Sequence, residues 1–208
     1  MTAYTFFTNP MSRGQIARWA LHEVGATYDQ VLVDWTAKPA ELIRANPMGK
    51  VPTLIHRTES GERIVTECAA ICAYLGEVHP EAGLLPSKAE LADYYRWMFF
   101  AAGPLEQAIV GRSMGWEISK DREAMVGFGS LERVLDTLEA HFDCNLFVCG
   151  DRFTMADVYV GSQVDWGLTF GSIPPREAFV AYAERLQARD AYMQAKGIDN
   201  DLIQETRK

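Results

Sequence analysis

Twenty Lys and Arg against 28 Asp and Glu leave this 208-residue chain with a net charge of −8, and 48% of its residues are apolar. That is globular composition, with length for one large domain or two small ones, and it excludes a disordered or collagen-like chain. An acidic balance argues against nucleic-acid binding and against attraction to an anionic membrane.

No apolar run approaches the roughly 20 residues of a bilayer span, and the first ten residues lack the basic and apolar stretches of a signal peptide, so a cytoplasmic location is expected. Residues 4–8 (Tyr-Thr-Phe-Phe-Thr) form a β-prone run ended by Asn9-Pro10. Over 12–24 the spacing of Ile16, Ala17, Trp19, Ala20 and Val24 predicts a helix stopped by Gly25. A strand over 28–33 and a short helix over 40–45 follow. Strands over 51–56 and 63–65 read as a hairpin around Ser60-Gly61, and 67–78 reads as a third helix. The order β-α-β-α-β-β-α predicts a small sheet with helices packed on it.

Residues 79–86 carry two prolines and a glycine and read as a linker. Beyond them the pattern is helical throughout. Ser87 to Glu90 fits a capping box ahead of an aromatic-rich helix that kinks at Gly103-Pro104, and 122–142 predicts another helix. Thr154 to Asp157 fits a second capping box opening a helix toward Phe170, and 176–196 adds one or two more.

Cys68, Cys72, Cys144 and Cys149 contain no C-x-x-C pair, so free thiols are expected rather than a metal or a disulfide. His22, His56, His79 and His141 are scattered, with no nucleophile–base spacing.

Two segments stand out: Asn46-Pro-Met-Gly-Lys-Val-Pro-Thr-Leu54 and Thr66-Glu-Cys-Ala-Ala-Ile-Cys-Ala-Tyr-Leu75. In order and separation they resemble the paired motifs of the cytosolic glutathione transferases, bacterial type. The likeness extends through the linker to Gly150-Asp-Arg-Phe-Thr-Met-Ala-Asp157; it assigns no class within the family. It implies a thioredoxin-like N-terminal domain over 1–80 that binds glutathione, an α-helical C-terminal domain over 88–208, and a homodimer. Thr154 and Asp157 match the helix-capping signature of the second domain and are read as structural.

The resemblance also implies the site. Pro52 would follow a cis bond that turns the backbone of Val51 toward the cysteinyl unit of glutathione, a form of β-augmentation. Lys50 would meet a carboxylate of the tripeptide. Glu67 and Cys68 would open a helix whose N-terminus suits the γ-glutamyl carboxylate. Cys68 stands where the family pattern has serine, and a thiol is the weaker donor.

In the loop before the first helix, Ser12 is the expected donor to the glutathione sulfur, Arg13 an electrostatic helper, and Asn9 and Thr8 the fallbacks. An ordinary thiol of pKa near 8.5 is only about 3% ionised at pH 7. Lowering it by about two units takes roughly 2.7 kcal/mol of differential stabilisation, within reach of one hydrogen bond to a charged group plus a helix N-terminus. Against this, Ser12 to Gln15 also fits a capping box, with the Gln15 amide occupying the same hydroxyl.

The expected reaction is attack of the glutathione thiolate on an electrophilic, mostly apolar substrate held by Tyr94, Trp97, Phe100, Met114 or Trp116, without a metal. Glutathione-dependent reduction of a peroxide is the alternative enzyme, and a non-catalytic interaction module the alternative of another class.

Overall fold

The structure, a computed structural model, describes residues 2–206. A four-stranded sheet in the order β2-β1-β3-β4 organises the first part of the chain. Its strands are β1 (Tyr4–Thr8), β2 (Tyr28–Leu32), β3 (Thr53–Thr58) and β4 (Gly61–Thr66), and its helices α1 (Gly14–Glu23), α2 (Ala40–Ala45) and α3 (Cys68–Val78). β1 pairs parallel with β2 and antiparallel with β3, and β3 pairs antiparallel with β4 from Thr58↔Gly61. All five residues of β1 are buried, as an inner strand covered on both faces requires. Phe7, Val33, Leu42 and Ile55 form one core cluster, with Val51 packed at its border.

β3 starts two residues later than its apolar pattern predicts, because the Val51–Pro52 peptide is cis and lies ahead of the ladder. β4 reaches farther than 63–65, since hairpin pairing recruits residues whose side chains are exposed and carry no apolar signal.

A separate helical unit follows. α4 (Leu91–Phe100) runs through a π-helical turn (Ala101–Leu105) into α5 (Glu106–Ser113). Pro104, which has no N–H to donate, lies in that turn, where the kink is expected. Ser87 does not cap α4: the Glu90 carboxylate accepts from its N–H at 2.6 Å, but helical pairing begins only at Leu91. α6 (Leu131–Phe142) is much shorter than 122–142. Gly127 and Gly129 interrupt the pattern, and Ser130 caps the helix by accepting from the Arg133 amide. α7 (Met155–Phe170) opens with the full reciprocal box of Thr154 and Asp157, and α8 (Glu177–Gln187) packs on it.

The last helix, α9 (Asp190–Thr206), is longer than the sequence suggests and does not belong to the helical unit. One compact unit comprises the chain up to Gly83 together with Ala188 onward, and the other is Leu84–Gln187. A simple division at the 79–86 linker therefore misplaces the C-terminal helix. Its contacts with α1 are side-chain specific. The Arg189 guanidinium donates to both oxygens of Glu23 at 2.7 Å, Lys196 donates to Gln15 at 2.8 Å, and Tyr192 meets Trp19 edge-on. Arg18 and Asp199 complete the clasp as a fully buried pair, 3.0 Å apart, charge to charge rather than through an aligned hydrogen bond.

Among the described residues, no helix is long and apolar enough to cross a membrane.

Candidate functional site

The β-ladder register brings three segments to one end of the sheet. Thr53 opens β3 and lies opposite both Phe7 near the end of β1 and Thr66 at the end of β4. Lys50, Val51 and Pro52 therefore sit between the loop that leaves β1 and the turn at Glu67 that opens α3. These residues, far apart in sequence, are the ones the paired motifs single out.

Val51 is divided between core and surface. Its side chain packs against the cluster under the sheet, while its N–H and C=O have no hydrogen-bond partner among the described residues. The loop that presents it is fixed by Asn46, whose amide donates to the Lys50 carbonyl at 3.2 Å and to Thr53 Oγ1 at 3.1 Å. The Asn46 side-chain oxygen accepts from the Met48 amide at 3.1 Å. Gly49 has φ +60, and a Cβ there would stand 3.0 Å from Ile43 Cδ1. Lys50 itself is exposed.

Glu67 has φ 63 and ψ 120, the one positive φ outside glycine among the described residues. A side chain held there costs about 1–3 kcal/mol, which the surrounding structure must supply. The strained turn leaves the carboxylate exposed and without a partner among the described residues, at the N-terminus of α3. Cys68 behaves differently from an outward-facing serine. It is only 7% exposed, and its thiol donates to the Arg13 carbonyl at 3.2 Å. The contact ties the start of α3 to the loop before α1.

In that loop the Ser12 hydroxyl donates to the Asn9 carbonyl at 2.6 Å and accepts from the Gly14 amide at 3.0 Å. The expected capping box does not form. The Gln15 amide bonds the Ser12 carbonyl, because the helix begins one register later with Arg13 at its cap. Arg13 is exposed beside Ser12. The fallbacks have other tasks. Thr8 is fully buried, its Oγ1 crowding the position where a Gly14 Cβ would stand, and the Asn9 side chain bridges Val33 and Met11. Tyr4 points elsewhere: its hydroxyl meets His79 at 2.8 Å, and burial pushes its pKa to about 12.

The aromatic residues expected to hold a second substrate separate into two sets. Tyr94 and Trp97 are 1% exposed, and Trp97 packs on Phe100 and His141 as core of the helical unit. Met114 and Trp116 are exposed, and Trp116 lines a cavity of about 330 Å³ within that unit. Asp157 accepts from the Val148 and Thr154 amides and from the Tyr182 hydroxyl, a wholly structural network. Asn46 and Asn9 are the supports that the sequence reading did not assign. The signal was present in the Asn-Pro pairs at 9–10 and 46–47, each at the end of a regular element.

Residues 2–77 match the family model "Glutathione S-transferase, N-terminal domain", and residues 107–166 match "Glutathione S-transferase, C-terminal domain". A zeta-class glutathione S-transferase from Euphorbia esula is 26% identical over 213 aligned residues, spanning 96% of this chain and 88% of that protein. A sphingomonad glutathione S-transferase complexed with glutathione superposes with a TM-score of 0.73 at 26% identity, covering 94% of this chain and 98% of that one. A shorter stretch is 28% identical to probable elongation factor 1-gamma 1 from Arabidopsis thaliana, covering 64% of this chain and 32% of that protein.

Proposed function

The chain belongs to the glutathione S-transferase family and acts as a glutathione transferase, and from that premise we propose how its residues bind the tripeptide and activate its thiol. The unpaired N–H and C=O of Val51 form a short antiparallel ladder with the cysteinyl unit of glutathione. Glu67 accepts from the γ-glutamyl ammonium. The N-terminus of α3, opened by Cys68, receives the γ-glutamyl carboxylate. Lys50 meets the carboxylate of the glycyl end.

The glutathione sulfur lies against the loop at Ser12. On binding, the Ser12 hydroxyl turns from the Asn9 carbonyl and gives its hydrogen bond to the thiolate, while the Gly14 amide continues to donate to the serine oxygen. Arg13 and the N-terminus of α1 add positive potential. The thiolate then attacks an electrophilic carbon to form a thioether, with no general base required once the thiol is ionised. A homodimer and a cytoplasmic location complete the reading. An exposed stripe of Leu91, Tyr95 and Phe99, one helical turn apart along α4, supports self-association.

The observation that carries the proposal is the convergence of an unpaired Val51 backbone with the strained, exposed Glu67 at one sheet end. Titration calorimetry with reduced glutathione at neutral pH tests it. Micromolar to low-millimolar binding that is lost in Glu67→Ala is expected. No heat of binding in the intact protein at 10 mM would leave the non-catalytic interaction module as the better reading.

A further inference from the structure

Thr8, the last residue of β1, is fully buried, yet its hydroxyl has no hydrogen-bond partner among the described residues. Buried hydroxyls are nearly always paired, and one left unpaired destabilises the state that leaves it so. The Thr8 hydroxyl fills the space that a Gly14 Cβ would take, and Ser12 Oγ stands 3.1 Å from that same point. The orphan donor therefore lies against the loop that carries Ser12, on its buried side.

That placement bears on the ionisation step. In the free protein the Ser12 proton points at the Asn9 carbonyl, with the two oxygens 2.6 Å apart, and the Gly14 amide takes one lone pair of the serine oxygen. When the Ser12 proton turns to the glutathione sulfur, two oxygens are left facing each other with no proton between them, which is repulsive. The turn needs a replacement donor. Other donors of the loop are engaged: the Ser12 amide with the Asn9 carbonyl at 3.1 Å, the Met11 amide with Asn9 Oδ1 at 2.8 Å, and the Asn9 side-chain amide with the Val33 carbonyl at 3.0 Å.

We propose that Thr8 is a positioning residue for thiol activation: its proton takes the place that the Ser12 proton vacates, donating to Ser12 Oγ while Ser12 donates to the thiolate. The inference rests on the assignment of Ser12 above. A hydroxyl offers no lone pair along its own O–H, so Thr8 has no acceptor on that side until Ser12 turns. Both hydroxyls keep their protons, and the thiol proton passes to solvent. Thr8 is thus unpaired before the thiol ionises and paired afterwards. Its contribution falls on the ionised state alone, which is the requirement for lowering a pKa. Two hydroxyls in series also polarise one another, making Ser12 the stronger donor.

The test replaces Thr8 by its apolar isostere. Thr8→Val should lower the acid dissociation constant of bound glutathione about twofold to threefold, read by ultraviolet titration of the thiolate. Affinity for S-methylglutathione, which has no thiol to ionise, should stay within about twofold, and Thr8→Ser should restore the wild-type ionisation. The Thr8→Val/Ser12→Ala variant should ionise glutathione no less readily than Ser12→Ala alone, since Thr8 acts through Ser12. In the absence of glutathione, Thr8→Val should melt about 2–4 °C above wild type, because it removes an unpaired buried hydroxyl. A lower midpoint, or a variant that does not fold, would show the hydroxyl already partnered in the free protein and overturns the proposal. So does an unchanged ionisation in Thr8→Val while Ser12→Ala impairs it, or a double variant in which the two losses add. If Ser12→Ala itself leaves the ionisation unchanged, the assignment of Ser12 fails and the role of Thr8 falls with it.

Discussion

At Ser12 the hydroxyl proton has two claimants. In the free protein it goes to the Asn9 carbonyl at 2.6 Å, so donation to a bound thiolate exchanges one hydrogen bond for another. The gain is the difference between a neutral and a charged acceptor, about 1 kcal/mol, less than one pKa unit of thiol activation. Ser12→Ala should therefore raise the pKa of bound glutathione by roughly half a unit to one unit, read by ultraviolet titration of the thiolate, with affinity within about twofold. An unchanged pKa removes Ser12 from the role and leaves Arg13 and the helix N-terminus. This residue also marks the limit of the sequence. The motif residues 50–52 and 67–68 were legible because their spacing matches a family pattern, whereas Ser12 was ambiguous. A short polar loop fits several cap registers, and only tertiary contacts select one.

Among the elements, α9 was the least legible. Its residues read as one more helix of the second domain, and nothing in their periodicity announces α1 as a partner. The buried pair of Arg18 and Asp199 carries that information, and it depends on two positions near opposite ends of the chain. Burial, partly offset by the Arg18 charge, pushes the Asp199 carboxyl up to about 6. Arg18 cannot shed its proton, so removing its partner leaves a charge stranded in the core. Asp199→Asn should cost about 3–5 kcal/mol in denaturant unfolding, and the Arg18→Met/Asp199→Leu double variant should recover most of it. A single variant within about 1 kcal/mol of wild type would mean that water reaches the site and the pair is not buried in solution. The strands fared better in sequence. Their β-prone cores were visible, and only the ends set by Pro52 and by hairpin pairing were not.

For the whole molecule, acid is the informative variable. His22, His56 and His141 all have pKa values pushed below the ordinary 6.5, in each case chiefly by burial. His56 illustrates the arrangement: it stacks on Tyr4 at 4.3 Å, bonds the Tyr74 hydroxyl at 2.8 Å, and feels the charge of His79. In the unfolded chain these rings take protons at about pH 6.5, before the folded ones do. Their stabilising contribution is thus complete above that pH and is lost as pH falls from there through the depressed folded values. Asp199 acts with the opposite sign, since its raised pKa favours the folded state as pH drops below about 6. Comparing variants isolates the histidine effect. The thermal midpoint of His56→Asn should fall less between pH 7.5 and 5 than that of wild type, and equal slopes would show that His56 does not titrate differently on unfolding.

The clasp of α9 on α1 bears on how this chain leaves the ribosome. At about 5–20 residues per second, Asp199 emerges on the order of 10–40 s after Arg18. The unit whose sequence is translated first is thus the last to be completed, and during that interval the arginine has no counter-ion. Nascent chains halted after residue 83 should stay open to protease, whereas the helical unit, whole by residue 187, can gain its protection while synthesis continues.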